Sequence, residues 1–262
     1  MAYEAGDALG VMPVNAPDLV AAWLKRLNVA SDTDIGGAPL DELLTSDLEI
    51  MTPSRELIRG VELVAENEEL TGVVKSQDKG LLEKYLWGKD SLDLLNLCPN
   101  VSFDVAELLS WLKPLQHRAY SISSSSKAHK NEVHLTVAAV RWDHENRSHK
   151  GVCSTFLADN VPVGGQAGIF MSPNKSFRVP EDDTVPMIMV GPGTGVAPFR
   201  AFLEERRERS ASGANWLFFG DQHRKCDFIY EDEISTFSET GLLTRLDLAF
   251  SRCLLYTSPS PR

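Results

Sequence analysis

Between an unbroken apolar run, 185–190, and a segment of helical periodicity, 197–209, the chain inserts Gly191-Pro192-Gly193-Thr194-Gly195. A continuous apolar run of that length reads as a strand buried on both faces, the kind found in parallel sheets layered with helices. Glycines let the backbone adopt positive φ and approach a ligand closely. Pro198 suits the first helical turn, where its missing N–H costs nothing. Free amides at the start of that helix, with the helix dipole behind them, favour a bound phosphate. The turn departs from the usual G-x-G-x-x-G, since Pro198 stands at the third position. Taken alone it is equally a tight turn; its strand–turn–helix setting points to a nucleotide.

Downstream the pattern repeats. Residues 216–219 read as the next strand, 227–237 as the next helix and 243–250 as a third strand. The strand ends Val190, Phe219 and Phe250 lie about thirty residues apart, the length of a βαβ unit. The expectation is βαβαβ, half of a doubly wound parallel sheet. Upstream, the chain to about residue 14 is extended around a Gly6-Asp7 turn, with Leu9 and Val11 alternating. It starts abruptly for a strand-forming segment, as though the sheet it belongs to had lost earlier strands. Residues 17–115 are mostly helical: Leu19, Val20, Trp23, Leu24 and Leu27 recur at three- and four-residue spacing, as do Leu40, Leu43, Leu44 and Leu48. Pro53, Pro99 and Pro114 punctuate this zone, and its leucine stripes read as core. From 117 to 180 the period becomes two. Val133, Leu135, Val137 and Ala139 alternate with His134, Thr136 and Ala138, as in a half-buried antiparallel strand. A polar turn at 143–150, a short helix at 154–159 and a strand at 169–171 follow, and a small antiparallel barrel fits them.

The expected fold class is therefore β barrel plus α/β. An antiparallel barrel domain, 1–180, carries a helical insert at about 17–115, and a partial doubly wound sheet occupies 181–252. The last ten residues, CLLYTSPSPR, hold no acidic residue and no helical pattern, and include two Ser-Pro steps. A parallel sheet at its third strand should continue into a helix, so this tail is expected to be foreign or frame-shifted sequence; the alternative is an ordinary disordered end.

Composition removes several classes of function. The formal net charge of −11 argues against nucleic acid as the main partner, while leaving room for a local basic pocket. There is no run of 18 apolar residues and no positive flank before an apolar stretch at the start, so neither a membrane span nor export is expected. Cys98, Cys153, Cys226 and Cys253 form no CxxC pair, which speaks against a zinc ribbon or disulfide scaffold and suits a reducing cytoplasm. His144 and His149, five apart in the polar turn, read as a solvated loop in preference to a metal pair, and no metal is expected.

Three further features carry chemistry. In Arg118-Ala119-Tyr120-Ser121, alternation puts the cation and the aromatic on one face of a strand and the serine opposite. The pair could hold a phosphate and stack a planar ring, or be an exposed arginine and a packed tyrosine on an edge strand. Gly151-Val152-Cys153-Ser154 precedes a short helix and is either an anion site or plain capping. Trp142 could stack a base or cover the barrel end. Ser251-Arg252 closes the third parallel strand, where an arginine could take an extra phosphate on a ribose. Asp221, near the end of the second strand, is the one feature favouring an unphosphorylated dinucleotide; Arg252 weighs more.

In this order the motifs RAYSISSSS, HKGVCSTFLAD, MIMVGPGTGVAPFRAFLEER, NWLFFGDQH and LLTRLDLAFSR resemble the ferredoxin-NADP reductase-like module of the diflavin reductases. That family includes cytochrome P450 reductase, the reductase domains of nitric oxide synthase and the flavoproteins of sulfite reduction. The resemblance spans residues 3 to 252 and is nearest to the sulfite-reducing members. It implies that Arg118 binds the FAD pyrophosphate, Tyr120 stacks on the isoalloxazine and Ser121 lies near flavin N5 as the catalytic residue. It further implies that Gly151, Val152, Cys153 and Ser154 cradle the pyrophosphate and that Trp142 sits against the adenine. Gly193, Thr194 and Gly195 would bind the NADPH pyrophosphate, and Ser251 and Arg252 its 2′-phosphate. The helical zone then matches the family's connecting domain. Three departures stand out: the FMN-binding domain that precedes this module in the family, its first barrel strands, and its last strands with further nicotinamide-site residues are not in the sequence. The implied parent moves a hydride from NADPH to FAD and then electrons through FMN to a sulfite-reducing haemoprotein, the beta subunit. The alternatives are a reductase for another haemoprotein of the P450 kind, or a nucleotide-binding remnant without turnover.

Overall fold

A computed structural model of the chain describes residues 2–252; the tail 253–262, read above as foreign, lies outside the described residues. The chain folds into two compact units. One takes in 1–10, 119–138 and 169–262, as far as these are described, and the other 11–118 with 139–168.

The first unit contains the parallel sheet. Strand Met187–Val190, helix Ala197–Glu208, strand Asn215–Asp221, helix Glu231–Glu239 and strand Arg245–Phe250 follow one another. The strands pair in parallel and in chain order, with Val190 opposite Phe218 and Phe219 opposite Leu248. Met189, Leu217, Phe219 and Phe250 on one face join Phe202, Leu203, Ile234 and Phe237 of the two helices in a core. The other face corrects the expectation of a strand buried on both sides. Ile188 and Val190 are 68% and 63% exposed, because both helices pack on the opposite face. The helix expected over 227–237 is also broken: Arg224–Asp227 and Glu231–Glu239 are parted by Tyr230 in the left-handed region, φ 61°.

A three-stranded sheet sets Ala8–Met12 between Arg118–Ser121 and Gly168–Ser172. Leu9 and Val11 are buried, as their alternation implied. The turn before them is clamped by Asp7, which accepts hydrogen bonds from the amides of Glu4 and Asn174 and from the Arg178 guanidinium. Gly6 has φ +102° and a Cβ there would lie 1.9 Å from the Phe177 carbonyl oxygen, so only glycine fits. The expected strand at 133–139 does not form and leaves only an isolated bridge between Ile122 and Leu135. The reason is local: the His134 amide is taken by the Ser124 hydroxyl instead of a neighbouring strand. Antiparallel pairings are present elsewhere, but among the described residues no closed barrel is completed.

The second unit is the helical zone with one hairpin. Helices Pro17–Leu27, Arg55–Val64, Glu68–Ser76, Lys79–Leu86, Ser91–Asn96 and Val105–Ser110 enclose Trp23, Leu40, Leu44, Leu57, Leu94 and Leu95, all without solvent exposure. Five of these six starts are fixed by side-chain acceptors, Ser54, Asn67, Asp78, Asp90 and Asp104, each accepting from an amide of the first turn, while Pro17–Leu27 opens on a proline. Arg26 closes one end, donating to the carbonyls of Leu95, Cys98 and Val101. The polar turn expected at 143–150 is instead a hairpin, Arg141–His144 with Arg147–Lys150, reversing at Glu145 with φ 53°. A helical turn, Val152–Thr155, continues as a wider turn over Phe156–Asn160.

Candidate functional site

In the first unit, the glycine turn leaves the end of Met187–Val190 and is tied to the next strand by the Gly191 amide donating to Phe218 O at 3.0 Å. A short 3-10 turn, Gly193–Val196, then feeds helix Ala197–Glu208 with Pro198 in its first turn. The glycines there do different work. A Cβ on Gly191 would lie 2.8 Å from Phe199 and from the Val196 Cα, whereas Gly193 has φ +54° with the Asp221 carboxylate beside it, 3.4 Å from a Cβ position. Ser251 donates its amide to Asp221 O, and Arg252 donates to Gln222 O, each at 2.9 Å. Gly193, Asp221, Ser251 and Arg252 are thus gathered at the carboxyl ends of the three parallel strands, where open α/β sheets hold nucleotides. A cavity of 420 Å³ opens there against Val190, Pro192, Phe218, Gly220 and Ala249. Asp221 also accepts the Gln222 amide, so one of its oxygens is already occupied.

Tyr120 and Ser121 stand at the end of the strand Arg118–Ser121, whose alternating exposure puts Arg118 and Tyr120 on one side and Ser121 on the other, in the open. The remaining flavin-assigned residues lie in the second unit. Arg118 is ion-paired to Glu49 at 3.2 Å and donates to Gln116 O. Gly151 caps Val152–Thr155: its amide donates to Val140 O, its carbonyl accepts from the Thr155 amide and hydroxyl, and a Cβ on it would lie 2.8 Å from Ser154 Oγ. Ser154 Oγ in turn accepts the Val140 amide. A helix start has first-turn amides with no carbonyl partner inside the helix, so a cradle that excludes a side chain at Gly151 fits a pyrophosphate. Trp142 donates its indole N–H to Gly88 O at 2.9 Å and stacks on His149 at 5.3 Å.

His149 corrects the reading of a solvated loop. It is 3% exposed, and its ring nitrogens meet Asp93 Oδ2 at 2.8 Å and Arg147 O at 3.1 Å. Burial pushes the Asp93 carboxyl up, but the Asp90 amide, His149 and Arg147 outweigh it and hold that carboxyl below the usual range. Both imidazole nitrogens and the Asp90–Arg147 pair are used in structure. The sequence alone did not single out Arg200 and Glu204 in the first unit, buried on the helix that follows the glycine turn and ion-paired at 3.1 Å. Their signal was an i, i+4 pair of opposite charges within the segment of helical periodicity.

Comparison with known proteins gives the two lobes of this chemistry. The FAD binding domain family matches residues 36–156, and the oxidoreductase NAD-binding domain family matches 189–247. Over 258 residues, 96% of the chain, it is 40% identical to the sulfite reductase [NADPH] flavoprotein alpha-component of Bacillus subtilis, covering 43% of that protein. It is 42% identical to the corresponding protein of Mannheimia succiniciproducens over 95% of the chain, and 39% identical to that of Escherichia coli K12 over 96%, covering 42% of each. The chain spans less than half the length of these curated relatives.

Proposed function

The chain is related over nearly its whole length to the flavoprotein alpha-components of NADPH sulfite reductase, and from that premise we propose that it is the FAD- and NADPH-binding part of such a reductase. The observation that carries this is the glycine turn, with Gly193 in a left-handed conformation, set beside Asp221, Ser251 and Arg252 at the carboxyl ends of the parallel strands. FAD, when bound, would supply the hydride-accepting chemistry that NADPH requires. The residues orient the partners. Arg118 and the capped turn Gly151, Val152, Cys153 and Ser154 anchor the FAD pyrophosphate, with Tyr120 against the isoalloxazine and Trp142 toward the adenine. Gly193, Thr194 and Gly195 take the NADPH pyrophosphate, and Ser251 with Arg252 the 2′-phosphate. Ser121 offers its hydroxyl near the acceptor atom. Holding each cofactor by its pyrophosphate fixes the orientation of its reacting ring.

Functionally the chain divides at about 180: a flavin domain with the helical insert 17–115, to which the three-stranded sheet around Ala8–Met12 contributes, precedes a dinucleotide domain, 181–252. Through FMN, electrons would pass to the haemoprotein beta subunit that reduces sulfite. No helix of the described residues is long and apolar enough to cross a membrane; the scattered cysteines, with no CxxC pair, support a reducing, cytoplasmic setting. The test is direct. The purified full chain should carry yellow flavin that NADPH bleaches under anaerobic conditions and ferricyanide restores. Flavin that binds but is never reduced by NADPH would sink the reductase reading.

A further inference from the structure

A run of four serines, Ser123 to Ser126, follows two residues after Tyr120 and Ser121, and polar runs of this kind usually mark a solvated loop. Here Ser123, Ser124 and Ser125 have no exposure at all. They are gripped by the helix that begins at the glycine turn. Arg200, one helical turn into it and 8% exposed, donates from Nη1 to Ser123 O at 2.6 Å and from Nη2 to Glu204 at 3.1 Å. Glu204, 2% exposed, accepts the Ser125 amide at 2.9 Å. Glu205 accepts the Ser125 hydroxyl at 2.6 Å and pairs with Lys127. The remaining edges of Arg200 are filled: Nε meets Glu233 at 2.8 Å, the guanidinium lies over the Tyr230 ring, and His134 Nδ1 stands 3.4 Å from Nη1.

His129, Glu132 and His134 come close enough to suggest a metal site, but the hydrogen bonding assigns them elsewhere. Arg200 has only protons to offer, so His134 Nδ1 accepts and its Nε2–H donates to Glu132 at 3.0 Å. His129 Nε2 meets Glu204 at 2.9 Å. Both His134 nitrogens are therefore engaged by protein partners, Nδ1 by Arg200 and Nε2 by Glu132.

We infer that Arg200 and Glu204 are positioning residues that fasten the segment carrying Tyr120 and Ser121 to the helix of the nucleotide turn, so that dinucleotide bound at 191–197 orders residues 121–127. This rests on the proposed function. A buried charged acceptor on a backbone amide is among the stronger hydrogen bonds in a protein, and the path from Gly195 to Ser121 is one helical turn, one arginine and two residues long. The two ends of the hydride path would then be set by one rigid element.

Amide hydrogen exchange on the flavin-loaded full chain, with and without NADP+, tests this. In the unaltered chain NADP+ should slow exchange at 191–197 and also at 121–127. In Glu204→Gln, which keeps the side-chain shape, protection at 191–197 should persist while that at 121–127 is lost, and the Ser125 amide should exchange at least about tenfold faster. Flavin reduction by NADPH should fall about tenfold in kcat with KM unchanged, a split that a general loss of stability would not produce. Arg200→Lys, which keeps the charge but not the two-sided grip, should show the same pattern and serves if Glu204→Gln does not fold. Protection passed on undiminished in both variants overturns the inference, as does protection confined to the turn in the unaltered chain. No NADP+ protection at 191–197 at all would instead refute the nucleotide reading, and the coupling with it.

Discussion

Three alanine substitutions in one pentapeptide should behave in three different ways if the turn is both a packing element and a phosphate cradle. At Gly191 the new Cβ would stand 2.8 Å from Phe199 Cδ2, 2.8 Å from Val196 Cα and 2.9 Å from Gly195 O. Two of those three are backbone atoms that cannot rotate away, so Gly191→Ala should cost about 1–3 kcal/mol, the range of overpacking in a filled interior. At a few degrees per kcal/mol for a domain of this size, its melting point should drop visibly. At Gly193 there is room, since the nearest atom is a carboxylate oxygen at 3.4 Å, but φ is +54°. An alanine held there costs about 1–2 kcal/mol, and the drop should be smaller. At Gly195 the nearest atom is Pro192 Cδ at 3.7 Å and φ is not left-handed. Gly195→Ala should leave stability within about 0.5 kcal/mol of the starting chain, yet weaken NADP+ binding at least tenfold, because a methyl group then stands where backbone amides approach the pyrophosphate. Scanning calorimetry reads the first quantity and isothermal titration with NADP+ the second. Were Gly195→Ala to bind NADP+ as tightly as the unaltered chain, the turn would not be a phosphate cradle. Were Gly191→Ala to melt at the same temperature, the packing reasoning would be wrong.

Other outcomes follow from single residues. Burial pushes the Asp7 carboxyl up, but the Glu4 and Asn174 amides and Arg178 overcome this and hold it below the usual carboxylate range. A depressed carboxyl contributes stability that is fully present above its unfolded value, near pH 4, and is lost as pH falls through the folded one. Urea midpoints of the unaltered chain should therefore fall below about pH 4, and Asp7→Asn should lower the midpoint at pH 7 and flatten that acid slope; an identical slope would refute the assignment. Trp23 is fully buried and its indole N–H has no partner among the described residues. Trp23→Phe should cost little more than the lost volume, under about 2 kcal/mol, against about 3–5 kcal/mol for Trp23→Ala, as urea unfolding would show. Ser121 is exposed on its strand, so Ser121→Ala should keep the melting point and slow flavin reduction by NADPH at least about tenfold in stopped-flow traces, with a larger isotope effect from deuterated NADPH. An unchanged rate would remove Ser121 from the chemistry.

The parallel layer was legible because its signals are local. A glycine turn, an apolar run and a thirty-residue repeat each occupy a short stretch, and together they pointed to a βαβαβ parallel layer, whose order and register the pairings of Val190 with Phe218 and Phe219 with Leu248 supply. What the run could not convey is the number of covered faces. Ile188 and Val190 are as apolar as Met189, yet only Met189 of the three is buried, and that difference is made by the side on which the two helices, Ala197–Glu208 and Glu231–Glu239, pack. The leucine stripes of 17–115 were likewise readable as core, while the caps Ser54, Asn67 and Asp90 that set helix starts were not used. Alternation at 133–139 misled for a reason of chemistry. It reports which side chains would share a face, but a strand also needs a neighbour's carbonyls, and Ser124 takes the His134 amide first.

The serine run shows the same limit from the opposite side. Four short hydroxyl side chains in sequence carry no periodicity and little apolar surface, so nothing local distinguishes a loop in water from a buried joint. The difference lies in what arrives from elsewhere: Arg200 on the Ser123 carbonyl, Glu204 on the Ser125 amide, and the Tyr3 hydroxyl on Ser124 at 2.7 Å. Each of those partners is a large polar group whose burial would be costly alone, and the serines are small enough to let all three reach backbone or hydroxyl. A bulkier residue at 124 would displace Tyr3, and an apolar one would leave its hydroxyl and the His134 amide without that partner. Small polar residues are thus required there by the groups they satisfy, and the same requirement that hides the joint from a reading of periodicity makes it stiff enough to connect a nucleotide turn to Ser121.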